Sequence, residues 1–321
     1  RLNNQVAELD VATSENTIKE SIAQIYIQIL YAAESVRVNE NTLQVSIAQR
    51  DRGQELLNAG SIAKSDFAQL EAQVSTDRYQ LVTAQATLQD YKLQLKQLLE
   101  LDGENEMNVY LPKLSDENVL APLPAKKDVY VSALAIRPEI EASKLNVEAS
   151  ELGIDIAKSS YFPTISLSAG IGTNHTSGSD FTFGEQVKNG WNNSIGLSVS
   201  VPIFNNRQTK SAVQKAKLQR ETDMLSLLDE QKALYKTIES LWLDANSAQQ
   251  RYAAANEKLR STQISYDLIS EQFNLGMKNT VELLTEKNNL LQAQQEQLQA
   301  KYMAILNTQL LKFYQGDKLT L

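Results

Sequence analysis

The chain carries a single histidine, His175, and no cysteine. Thiolate nucleophiles and multi-histidine or cysteine metal sites are therefore out of reach. Its 39 aspartates and glutamates fall mostly in long polar stretches, where a carboxylate usually does no more than solvate a helix face. Neither a phosphate-cradling glycine loop nor a dinucleotide fingerprint occurs. Asn174-His175-Thr176 matches a glycosylation acceptor, a pattern of low specificity. A net charge of -8 leaves no basic patch for nucleic acid. No catalytic constellation, bound metal or cofactor is expected.

The chemistry-poor residues sit on unusual supports. Only 12 Gly and 6 Pro punctuate 321 residues, and the stretches between are rich in Gln, Leu, Ala, Glu and Lys, the composition of long helices. No run of about 18 apolar residues is available to cross a bilayer as a helix. The clearest period lies in 207–273, where Leu241, Ala245, Ala248, Tyr252, Ala255, Leu259, Thr262, Tyr266, Ile269 and Phe273 recur at spacings of four and three. That is a coiled-coil stripe, and at 1.5 Å per residue the segment would extend roughly 100 Å. Similar stripes mark 5–57 (Ile18, Ile22, Ile25, Ile29, Val36), 64–101 (Val74, Leu81, Ala84, Leu88, Tyr91, Leu95, Leu98) and 279–313 (Leu284, Leu291, Leu298, Ile305).

These segments form two pairs related by a shift of 216 residues. The shift superposes Gly60 on Gly276, Asn58 on Asn274, Ile22 on Ile238, Leu43 on Leu259 and Ala84 on Ala300. Each glycine reads as a helix C-cap followed by a tight reversal into an antiparallel partner. The chain is an internal repeat of two long helical hairpins. Tyr26 and Trp242 fall at equivalent repeat positions, where packing between helices is the simpler expectation than ligand binding.

Between the hairpins the pattern changes. Asp102-Gly103, Pro112, Pro122 and Pro124 mark a linker over 102–125. A helix is expected over 126–160, bent near Arg137-Pro138. The period then drops to two: Ile165, Leu167, Ala169 and Ile171 alternate with small residues, and after a polar loop over 173–192 so do Ile195, Leu197, Val199, Val201 and Ile203. Strands of about ten residues with one apolar face suit a transmembrane β-barrel, although a hairpin outside a membrane shows the same alternation. Tyr161, Phe162 and Phe204 at their common end stand where an aromatic girdle belongs. Two strands cannot close a barrel, and lipid forbids an open edge; further strands must come from elsewhere.

At this point the residues resemble a known family. Arg137-Pro138-Glu139-Ile140-Glu141-Ala142, leading to Tyr161-Phe162-Pro163-Thr164-Ile165-Ser166-Leu167-Ser168, is similar to a signature of the outer-membrane efflux protein (TolC) family. Val201-Pro202-Ile203-Phe204-Asn205 resembles the strand end that re-enters its long helix, and Phe273-Asn274-Leu275-Gly276 resembles its periplasmic turn. The resemblance implies a mainly α fold: very long antiparallel helical hairpins forming an α-barrel tunnel, with a two-stranded transmembrane β-hairpin contributing to a trimeric β-barrel. On that scheme 1–101 is an incomplete first repeat, 161–205 the barrel hairpin, 206–313 the second tunnel hairpin and 314–321 a tail. A first helix and first β-hairpin are expected ahead of Arg1.

The resemblance further implies a passive exit duct of a tripartite efflux pump or type I secretion system in the bacterial outer membrane, its tunnel in the periplasm. Its partners would be two further copies of itself, a periplasmic adaptor, an inner-membrane transporter of RND, ABC or MFS type, and outer-membrane lipid. Gly60, Gly276, Asn58 and Asn274 would lie at the periplasmic tip where the adaptor docks. Asp66 and Lys278 fall where an ionic clasp is implied, Phe273 where an aromatic joins it, and Glu282 where an acidic ring constricts the aperture. In a threefold assembly such a ring would favour cations. The competing reading is that Asp66 only stabilises a helix's first turn and Lys278 is solvated. Two rivals belong to other classes, a soluble coiled-coil scaffold and an envelope enzyme on a helical stalk.

Overall fold

The computed structural model describes residues 1–101, 107–112, 119–178 and 180–319. Asp102 and Gly103 of the expected linker lie outside the described residues. The chain is mainly helical, with one antiparallel pair of strands among the described residues. Its contacts divide it into two units, Arg1–Ala7 with Ala142–Asp229, and Glu8–Glu141 with Glu230–Leu321. Among the described residues no helix is long and apolar enough to cross a membrane.

Four long helices dominate: α1 (Leu2–Asn58), α2 (Lys64–Leu98), α6 (Gln208–Asn274) and α7 (Thr280–Gln315). The 3–4 stripes read from the sequence turn inward. In the larger unit the stripe residues Ile29 of α1, Val74 and Leu95 of α2, Ala245, Ala248 and Tyr252 of α6, and Leu298 and Ile305 of α7 are buried. So are Leu43, Leu70 and Leu290, which the stripes did not include. Each large side chain so buried contributes about 1.5–3 kcal/mol, and the alanines let helices approach. Ile18, read as part of the α1 stripe, is exposed, and Leu284 and Leu291 of the α7 stripe are half-buried. Contacts along α1 and α2 step in opposite directions: Ser46 meets Asp77, and Gly53 leaves room for Leu70. Those along α6 and α7 do likewise, from Ser265–Glu286 to Lys258–Glu296.

The repeat reappears as a pair of pegs. Tyr26 Oη donates to the Tyr110 carbonyl at 2.8 Å, and its repeat mate Trp242 donates through Nε1 to the Pro124 carbonyl at 3.0 Å. Gln249 adds bonds to the carbonyls of Val119 and Ala121. A segment without regular structure has orphan carbonyls; here long-helix side chains satisfy several of them.

The helix expected over 126–160 is two helices, α3 (Lys126–Ile136) and α4 (Pro138–Ser159). Pro138 disfavours a helical conformation in the preceding residue, and Arg137 is extended at ψ 124°. The break aims the Arg137 side chain inward. It is 5% exposed, pairs with Glu20 at 2.7 Å and stacks on Tyr314 at 3.7 Å. Burial, then the Glu20 carboxylate, pushes the Tyr314 pKa up to about 12.

In the smaller unit β1 (Thr164–Gly172) pairs antiparallel with β2 (Asn192–Ser200), with Leu167 opposite Leu197 and Ser166 opposite Ser198. The alternation continues in sequence to Ile203, but the ladder stops at Ser200, because Pro202 has no N–H to donate. The stretch read as a 173–192 loop also differs: it contains a short helix, α5 (Phe183–Asn189), and Asn192 already belongs to β2. Glu185 accepts from the Thr182 backbone N–H at 2.9 Å, a capping-box contact that starts α5.

Arg137→Ala leaves Glu20 in a largely buried site without its cation. It is expected to destabilise the protein by about 3–5 kcal/mol, with Arg137→Lys recovering only part because the ring stacking is lost. Thermal denaturation of the two variants measures this.

Candidate gate at the helical turns

Both long helices end in the same way. Gly60 and Gly276 adopt a left-handed φ of 74°, which a glycine reaches without strain. Gly60 N–H bonds Leu57 O and Ser61 N–H bonds Leu56 O; Gly276 N–H bonds Phe273 O and Met277 N–H bonds Gln272 O. These are the paired bonds of a Schellman cap. Asn58, Asn274 and both glycines are exposed, as are Leu275 and Met277. Gln54 donates to the Asn58 side chain at 3.0 Å. Arg52 reaches from α1 to the Asn274 carbonyl at 3.3 Å, placing a cation at the negative end of α6.

The returning helices also start alike. Asp66 and Glu282, 216 residues apart, each turn back to accept from the backbone N–H of their N-cap, Ala63 at 3.3 Å and Asn279 at 3.2 Å. Only the second cap is complete, because the Asn279 side chain accepts from Glu282 N–H at 2.9 Å while alanine has no acceptor.

The four residues of the expected clasp are distributed as follows. Lys278 pairs with Glu282 at 2.5 Å, and Asp66 is occupied by its own helix start. Within the chain, among the described residues, no ion pair joins Asp66 to Lys278. Phe273 is buried, packed with Leu70 and Leu283 and against Leu56, Tyr266 and Leu284, so its ring joins the two helix pairs just before the turn. The Lys278 ammonium, then the Asn279 N–H, holds the Glu282 carboxyl below the ordinary carboxylate range.

A second polar cluster escaped the sequence reading. Lys287 of α7 lies against Asp77 of α2 and Ser46 of α1, and the Ser46 hydroxyl donates to the same Asp77 oxygen. The Lys287 and Asp77 side chains are 3% and 2% exposed. Gln73 donates to the other Asp77 oxygen at 2.9 Å. Burial pushes the Lys287 pKa down, and Asp77 opposes that shift. The signal was legible: Asp77 stands in the stripe between Val74 and Leu81, and Lys287 between Leu283 and Leu290, where a heptad wants apolar side chains. Among the described residues no cluster of acidic, histidine or cysteine side chains is placed to hold a metal ion.

Asn279→Ala is expected to cost about 1 kcal/mol at the α7 start, and Asn279→Asp much less. A carboxylate with a lowered folded pKa contributes stability above its unfolded pKa and loses it as pH falls through the folded value. The α7 cap should therefore persist below the ordinary carboxylate range, and Lys278→Ala should move its acid midpoint upward. Amide exchange of residues 279–283 against pH reads both effects.

The outer membrane efflux protein family model matches residues 129–316. Outer membrane efflux protein BepC of Brucella suis biovar 1 (strain 1330) is 26% identical over 294 residues, covering 91% of this chain and 61% of that protein. Outer membrane protein TolC of Escherichia coli (strain K12) is 24% identical over 315 residues, covering 94% of this chain and 62% of that protein. The chain thus spans less than two thirds of the length of these relatives. Crystal structures of CusC share the fold, with a TM-score of 0.82 at 19% identity, covering 99% of this chain and 72% of CusC. The channel OprN does so at a TM-score of 0.78 and 19% identity, covering 98% of this chain and 69% of OprN. With more than half of its residues inside the family model, the chain belongs to the outer membrane efflux protein family and is a protein of the bacterial outer membrane.

Proposed function

We propose that the protein is a passive exit duct, the channel-tunnel of a tripartite efflux pump or type I secretion system. It works as a trimer, with 161–205 in the membrane barrel and 1–101 and 206–313 in a periplasmic tunnel. A periplasmic adaptor docks at the exposed tip around Asn58, Gly60, Asn274 and Gly276. An inner-membrane transporter of RND, ABC or MFS type supplies the energy, and the duct itself performs no chemistry.

The β-hairpin carries this reading. Ile165, Leu167 and Ile171 of β1 and Ile195, Leu197 and Val199 of β2 share one face and are 59% to 84% exposed. Water opposes such a face and lipid accepts it. Nine residues at ~3.3 Å, tilted by ~40°, span roughly 23 Å, close to the apolar band of an outer-membrane barrel. Tyr161, Phe162 and Phe204 flank one end, and Phe181, Phe183 and Trp191 the other, all exposed, as two interfacial girdles would be. Among the described residues both outer strand edges are unpaired, and lipid admits such strands only where further strands close them into a barrel.

The helices support a tube in the same sense. Opposite its buried stripe, α2 exposes Tyr79, Val82 and Leu93, and α6 exposes Leu243, Ile264 and Leu268. A helix with two apolar seams meets neighbours on both sides, as staves do in a hollow cylinder; one in a solid pair needs a single seam. At the tip, Asp66, Lys278, Phe273 and Glu282 hold the aperture closed. Asp66 and the Lys278–Glu282 pair face neighbouring copies, while Phe273 secures the turn from within.

The protein purified from membranes is expected to conduct in planar bilayers, and Asp66→Ala with Lys278→Ala to raise single-channel conductance. Recovery in the cytosolic fraction without channel activity would favour the scaffold reading. Wild-type conductance in the double variant would reject the clasp.

A further inference from the structure

We propose that Ser46, Asp77 and Lys287 form an internal brace that ties α1 and α2 to α7 and bounds the moving part of the tip. The cluster is a closed triangle: Lys287 meets both partners, Ser46 donates to Asp77, and Gln73 occupies the remaining carboxylate oxygen. None of these atoms is left buried without a partner. A buried pair adds little net stability over apolar packing, yet breaking it by removing one partner is costly. It therefore resists intermediate arrangements, in which a charge would be stranded, and holds three helices in one register.

The brace also lies at a definite depth. Lys287 follows the Gly276 turn by eleven residues, Ser46 precedes the Gly60 turn by fourteen, and Asp77 follows it by seventeen. At 1.5 Å per residue these offsets are roughly 15–25 Å. Between brace and turns, among the described residues, the ties between helix pairs are the Phe273 cluster, the Gln49–Tyr266 bond and the Arg52 bond, with the Gln73–Asn288 bond at 3.4 Å beside the brace itself. Beyond the brace, the large apolar cluster around Tyr252, Leu298, Tyr302 and Ile305 takes over. Rearrangement at the aperture is thus confined to residues 47–76 and 277–286 with the end of α6. This last step rests on the gate reading above; the brace itself does not.

Hydrogen exchange by mass spectrometry on the membrane-purified protein tests the proposal. Lys287→Met strands Asp77, and is expected to speed exchange roughly 10-fold or more in 43–50, 74–80 and 284–290 and toward the turns. Residues 27–32 and 298–306 should stay at wild-type rates. Asp77→Leu with Lys287→Met removes both charges and should restore protection to within about threefold. Wild-type exchange in Lys287→Met, or acceleration spread evenly into the two reference segments, overturns the brace. Should Lys287→Met fail to fold, Ser46→Ala is the milder probe, expected to speed exchange near the brace roughly threefold or more; unchanged exchange there also overturns it. Single-channel conductance separates the two ideas. Faster exchange around the brace, with Asp66→Ala and Lys278→Ala leaving conductance unchanged, would reject the gate and keep the brace.

Discussion

A helix of 67 residues such as α6 has no interior of its own, so it must bury a seam against other helices along its length. The 3–4 stripe supplies that seam, and the rest of the larger unit depends on it. Ala245, Ala248 and Tyr252 lie on the same face as Phe273, so one continuous surface reaches from the broad apolar cluster down to the turn. Where α1, α2 and α7 put Ser46, Asp77 and Lys287 into their seams, continuity is kept only because these groups satisfy one another. A lone polar group there would have cost several kcal/mol.

Duplication preserved backbone geometry more strictly than side-chain chemistry. Gly60 and Gly276 share a φ of 74°, and Asp66 and Glu282 return to their N-caps in the same way. A tight reversal admits few backbone solutions, so both copies must keep one. The residues around it diverged: Ala63 stands where Asn279 completes a cap, and Ile62 where Lys278 carries a charge. Tyr26 and Trp242 differ as side chains but keep one task, donating to carbonyls of the segment between the repeats. An electronegative donor at the end of a flat apolar ring suits that position.

Much of the fold was legible, because helix and strand periods are local. The stripes, the two glycine turns and the alternating strands follow from spacing and turn residues, and the break at Arg137 from a proline rule. The misses are also physical. The α5 helix hides in a Gly-rich stretch, where the Thr182–Glu185 cap outweighs the turn signals. The β2 ladder ends before its hydrophobic alternation does, since side-chain pattern and hydrogen bonding are separate conditions. At the candidate gate the residue types were legible, but not that Phe273 turns inward or that Lys278 closes on Glu282.

By itself, the sequence determined the element types, the duplication, the position of the reversals and the absence of the residue types that thiolate or multi-histidine chemistry requires. It did so because each depends on neighbours within a few turns of the chain or on composition. Only the tertiary structure decided which polar residues meet: Ser46 with Asp77 and Lys287, Glu20 with Arg137, Tyr26 and Trp242 with the linker carbonyls. Those partners lie 31 to 241 residues apart, and a heptad stripe says which face a helix buries without saying which helix, or which register, it will be buried against.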